Sequence, residues 1–225
     1  MASKQTRPEL GDCRADGLSG AARQVHRAVL AAFARTGPPP GRGELERLAR
    51  SHGAHPDAVL AELAGTDVLA FAADGEIRAA YPFSPTATPI QVSWPGGPAA
   101  YAMCAIDALG MSAMLGRPVT ITAAEPGTGR VITVHADGGR ARWDPRTTVV
   151  FAGSAGDGRG PSADCACGYI NFVATAGAAR AWARRHREVT GRLLTQDAAL
   201  RSGVAQFGTL LRAAPPGARA AASPE

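Results

Sequence analysis

Apolar positions fall into two regimes along the chain. Val25, Val29, Leu30 and Phe33 recur at helical spacing within residues 21–35, and Gly37-Pro38-Pro39-Pro40-Gly41 breaks the run. Leu45 and Leu48 mark a second helix over 44–52 that stops at Gly53. Pro56 suits the first turn of a third, with Val59, Leu60 and Leu63 inward. Residues 68–71 and 77–81 flank Asp74-Gly75 and read as a hairpin. Three helices and a two-stranded wing give a winged-helix-like module over residues 19–82. Residues 1–18 hold few apolar groups and are expected to form a disordered tail.

The Pro-rich stretch 82–89 is the expected boundary, and the pattern changes beyond it. Residues 90–94, 118–123, 130–136 and 147–152 read as strands, and 167–175 as another. Helices are predicted over 100–115, 178–189, with Trp182 as a core anchor, and 196–211. The Gly- and Ser-rich residues 153–162 read as a mobile loop, either a lid or a plain solvent loop. The expectation is an α+β chain with a mixed sheet and flanking helices, its core at 83–213 and a second disordered tail at 214–225.

The 225 residues carry a formal charge of +5, from Arg far more than Lys. A basic balance admits nucleic acid but does not argue for it. The third helix, which would enter a major groove, has no Lys or Arg and carries Asp57 and Glu62, the wrong sign for phosphate. Nucleic acid is therefore not the expected partner. No apolar run is long enough to span a bilayer, and the polar first ten residues lack a signal-peptide core. The expected location is the cytoplasm, where thiols stay reduced.

That makes the cysteines informative. Cys13 sits in the polar tail. Cys104 lies in Tyr101-Ala102-Met103-Cys104-Ala105-Ile106-Asp107-Ala108-Leu109, read as helix, where a spacing of three puts Cys104 and Asp107 on one face. Cys165-Ala166-Cys167 follows about sixty residues on. Thiolates suit soft ions such as Hg(II), Cu(I), Zn(II) or Cd(II). The C-x-C spacing and the scattered histidines argue against a closed four-ligand zinc site. What remains is an open two-thiol site, Cys104 with Cys167, beside a carboxylate able to move a proton. Plainer readings stand beside it. Cys104 suits a small core residue, Asp107 a structural hydrogen bond, and Cys165 a loop position or an accessory thiol.

Tyr-Ala-x-Cys-Ala-x-Asp-x-Leu followed by Gly116-Arg117 resembles the core of the organomercurial (alkylmercury) lyases. Cys167-x-x-x-Asn-Phe-x-Ala-Thr and the Trp182 helix resemble that family's second cysteine segment. The resemblance covers residues 20–212. It implies protonolysis of a carbon–mercury bond to a hydrocarbon and Hg(II), with Cys104 and Cys167 as mercury-binding thiols and Asp107 as the proton-handling acid. It further implies no added cofactor, Hg(II) bound as product, small thiols as product acceptors and a mercuric reductase downstream. The sequence departs from the family at Gly168, at Glu125 (where a structural cysteine is common) and at Tyr169 and Asn171 (where histidines are common). A non-catalytic soft-metal binder or sensor, and a winged-helix regulator, are the alternatives.

Overall fold

A computed structural model describes residues 13–156 and 160–212. The tail expected at 214–225 and the first twelve residues lie outside them. Residues 13–18, assigned from sequence to a disordered tail, instead include a short 3-10 turn, Arg14–Gly17, whose Ala15 packs in the core with Leu18.

Three helices follow: α1 (Gly20–Thr36), α2 (Arg42–Ser51) and α3 (Pro56–Gly65). Ser19 caps α1 by accepting the Ala22 N–H, and Gly37 at φ 95° ends it. The buried stripe of α1 is Ala22, Val25, His26, Val29, Leu30 and Phe33, the one-faced pattern of an amphipathic helix. Pro56 opens α3, where its missing N–H costs nothing.

The strands are β1 (Leu69–Phe71), β2 (Ile77–Ala80), β3 (Phe83–Ser84), β4 (Ile90–Ser93), β5 (Ala100–Ala102), β6 (Val119–Ala124), β7 (Val131–Asp137), β8 (Arg140–Asp144), β9 (Val149–Ala155), β10 (Ile170–Val173) and β11 (Val189–Leu194). The expected mixed sheet resolves into two sheets, ordered β1-β2-β3-β5-β4-β6-β7-β8 and β10-β9-β11, and the pairings within them are antiparallel. The wing and the core thus share one sheet, which passes through β3 inside the Pro-rich stretch. Phe33 of α1 stacks on Phe83 of β3, with centroids 4.9 Å apart, which seats the helices on that sheet.

Four later helices complete the fold: α4 (Ala105–Leu115), α5 (Ser162–Cys165), α6 (Ala176–Arg185) and α7 (Gln196–Phe207). Nearly every residue of α4 is buried, so it is the central element. It packs on α7 through glycines. A Cβ on Gly110 would sit 2.4 Å from the Gly203 carbonyl oxygen, and one on Gly203 2.6 Å from that of Ile106. Only residues without side chains let the two backbones approach so closely.

Several sequence boundaries change. The helix expected from residue 100 starts at Ala105, because residues 100–102 pair with β4 and β3 as β5. The strand expected from Cys167 starts at Ile170, after a 3-10 turn at Cys167–Tyr169. The helix expected to reach Val189 ends at Arg185, and Val189–Leu194 pairs with β9 instead. The last helix ends at Phe207 rather than Leu211. The loop expected from Gly153 starts later, because β9 runs to Ala155. Trp182 is half-buried and packs edge-on to Phe151, in a small cluster outside the main core.

Candidate active site

Cys104 stands where β5 becomes α4. Its backbone is extended (φ −155°, ψ 178°), and its sulfur caps the helix by accepting the Asp107 N–H at 3.5 Å. Cys104 and Asp107 are therefore an N-cap and a first-turn residue, not two positions on one helical face. The cap geometry still turns both side chains to the same place, at the positive end of the helix dipole.

Cys167 arrives from the other sheet, on the turn between α5 and β10. Three contacts hold the α5 turn that leads to it. The Ala163 N–H donates to the Tyr81 hydroxyl at 2.7 Å, Asp67 accepts from the Ser162 N–H and hydroxyl, and Arg78 forms a two-pronged ion pair with Asp164 at 2.7 and 2.6 Å. Asp67 itself adopts a left-handed φ of 55° just past the end of α3.

The outcome is one cluster. A sulfur of Cys104, a sulfur of Cys167 and a carboxylate oxygen of Asp107 lie within 4.8 Å of one another, and all three residues are buried. Burial pushes the Cys104 thiol well above its usual range, with help from Cys167 and Asp107. For Cys167 the strongest influence is its hydrogen bond with Cys104, which lowers it, but burial and the Asp107 charge outweigh that and leave it raised. Burial lifts the Asp107 carboxyl to about 7, against lowering contributions from Cys104 and Arg14. One Asp107 oxygen, Oδ2, is buried with no hydrogen-bond partner. Both resting thiols thus hold their protons, and a soft cation would displace them from sulfur.

The cluster opens onto a cavity of about 420 Å³, within the range of small-molecule sites. Tyr81, His26, Arg14 and Asp67 also line it. Arg14 donates to the Asp67 carboxylate at 2.5 Å and to Ser162 Oγ at 3.0 Å, and its guanidinium lies 5.6 Å from the Tyr81 ring centre. None of these four was singled out from sequence. Arg14 sits in a stretch that carries no periodicity, and His26 reads as one position on an apolar stripe. Tyr81 follows a hairpin and looks like any strand-end aromatic.

Cys165 is buried at the end of α5, and its thiol donates to the Pro161 carbonyl at 3.3 Å. It is not among the three clustered ligand atoms. Glu125, which the resemblance puts near an expected structural cysteine, is buried and structural. It accepts from the Ala174 N–H at 2.8 Å and from Thr128 at 2.5 Å, which ties the β6–β7 turn to the end of β10. No helix among the described residues is long and apolar enough to cross a membrane.

Residues 83–208 match the alkylmercury lyase (MerB) family. Ten chains of solved structures resemble the fold. One is a crystal structure of the mercury-bound form of MerB2, at 24% identity and a TM-score of 0.69, over 88% of this chain and 95% of that one. No curated protein matches the sequence.

Proposed function

The chain belongs to the alkylmercury lyase family, and we propose that Cys104, Cys167 and Asp107 carry the carbon–mercury protonolysis that defines this class of enzyme. The observation that supports this assignment of roles is the buried cluster of two thiols and one carboxyl on the wall of a ligand-sized cavity.

An organomercurial cation, R–Hg⁺, enters as substrate. The two sulfurs bind the mercury and give up their protons, because a bound soft cation stabilises the thiolate. Asp107, in its carboxylate form, takes one of these protons on its unpartnered oxygen, and the other leaves to solvent. Donation from two thiolates raises electron density on the carbon. The Asp107 proton passes to that carbon, the electron pair of the carbon–mercury bond becomes the new carbon–hydrogen bond, and R–H departs. Hg(II) stays on the two sulfurs with no change of oxidation state. Holding acid and metal in one pocket makes the proton transfer effectively unimolecular. Burial raises the carboxyl to about 7, so that near neutral pH it can both take up a proton and give it away.

No resident cofactor takes part, and mercury arrives with the substrate. Small thiols then draw Hg(II) from the site by exchange at mercury, and a mercuric reductase is the fitting downstream acceptor. The cytoplasm, where such thiols abound, is the fitting location.

Headspace gas chromatography after addition of phenylmercury tests the roles. Cys104→Ser, Cys167→Ser and Asp107→Ala should each lower benzene release by at least about a hundredfold, the scale on which a positioned proton donor acts. Cys165→Ser should largely spare it. Full activity in Cys167→Ser would refute the two-thiol mechanism, and mercury binding without hydrocarbon in the unmodified protein would leave a metal binder only.

A further inference from the structure

His26 stands in the cavity wall and has no part in the proposed chemistry. It sits on the buried face of α1 and is 1% exposed, yet neither ring nitrogen has a hydrogen-bond partner. It lines the same cavity as the two thiols and Asp107. Burial drives its pKa from 6.5 to about 4, so it is a neutral imidazole at working pH, with one N–H to donate and one ring nitrogen to accept. Buried polar groups are nearly always paired, and an unpaired one in a ligand cavity points to a partner that the ligand or a displaced water supplies.

The imidazole lies outside the cluster of ligand atoms within 4.8 Å of one another. It is therefore placed to meet another part of the bound molecule than the mercury. The cavity is also far larger than a methyl group needs. A hydroxyl group matches the neutral imidazole in kind, because each donates once and accepts. A neutral imidazole offers an anionic substituent no charge, and the Arg14 guanidinium in the same wall already pairs with Asp67. We propose that His26 is a specificity-determining residue that receives a hydroxyl carried on the organic group of the substrate, so that this enzyme prefers hydroxyl-bearing arylmercurials to plain ones. This rests on the site proposed above and extends it from the metal to the departing carbon group.

The test is a competition. Limiting full-length protein is mixed with equal amounts of phenylmercury and hydroxyphenylmercury ions, the latter with ring hydroxyls at either the meta or the para position. Bound aryl adducts are counted by native mass spectrometry at short times, and benzene and phenol are counted at long times. The unmodified protein should favour one hydroxyl isomer about fivefold, the scale of one net hydrogen bond. His26→Phe should bring the ratio to about one, and His26→Gln, which keeps a donor and an acceptor, should retain part of the preference. Equal capture of all three compounds by the unmodified protein overturns the proposal, even if His26→Phe does not fold. A preference that survives in folded His26→Phe also overturns it. If no hydrocarbon forms at all, the lyase assignment fails, while the adduct ratio still decides the role of His26.

Discussion

A buried histidine without partners leaves a signature in stability as well as in selectivity. His26 has a folded pKa of about 4 against 6.5 when exposed, so between those values the unfolded chain binds the extra proton. Stability from its neutral burial is fully present above about pH 6.5 and is lost as pH falls towards 4, by roughly 3 kcal/mol at most. Asp107 acts in the opposite sense. Its folded pKa is raised to about 7, so its contribution is full below the unfolded value of 3.8 and is lost as pH rises through 7. Urea unfolding at pH 7.5, 6 and 5 should show the unmodified protein losing stability relative to His26→Gln as pH drops. Parallel curves for the two proteins would show that His26 is not buried neutral.

At this same scale the sequence was informative about chemistry and mute about surroundings. Cys104, Asp107 and Cys167 were legible because thiols and acids are rare in apolar segments and their chemistry is distinctive. Arg14, Asp67 and Tyr81 were not, because each gains meaning only from contacts across 53 to 148 residues of chain.

Among the elements, the α4–α7 crossing decides where the first sulfur sits. The N-terminus of α4 carries Cys104 and Asp107, and its depth in the core is set by Gly110 against Gly203. Gly203→Ala would place a methyl 2.6 Å from the Ile106 oxygen and 2.7 Å from the Gly110 nitrogen, forcing the helices apart. We expect a loss of about 1–3 kcal/mol and a drop in Tm of roughly 5 °C for a chain of this size, read by calorimetry, with a parallel loss of activity. Gly43→Ala in α2 meets nothing within 4 Å and should be neutral or slightly stabilising, by up to about 1 kcal/mol.

The element boundaries missed from sequence share a cause. Residues 100–102 look helical because Ala and Met continue into α4, but their backbone groups pair with two neighbouring strands. Val189–Leu194 follows an Arg-rich helix without a Pro, and only its ladder with β9 reveals a strand. β8 reads Arg-Ala-Arg-Trp-Asp, with a single fully buried side chain, so little apolar alternation marks it. By contrast α1, α3, β6 and β7 each bury one regular face, and pattern alone sufficed to place them.

Across the whole molecule, the beginning of the described chain forms part of the cavity wall. The Arg14–Gly17 turn buries Ala15 in the core, spans from Asp67 to Ser162 through Arg14 and shares the cavity wall with the buried thiols. Deletion of residues 1–18 should leave the sheets folded but admit water and reagents. We expect the thiols to react with an aromatic disulfide at least about tenfold faster, as for groups freed from protective burial, with slower hydrocarbon release. Unchanged thiol reactivity would mean that other parts of the wall exclude solvent.

The two sulfurs sit beside strands of separate sheets, Cys104 just after β5 and Cys167 just before β10, 63 positions apart in the chain. A transient separation of those layers would leave each one an ordinary monothiol, able to hold a heavy ion by one bond only. Chelation strength is thus a property of tertiary assembly, and a captured ion acts as a reversible clasp across a long loop. It should weight the ensemble towards the assembled form for as long as it stays, so that cargo removal and loosening of the fold become one thermodynamic cycle.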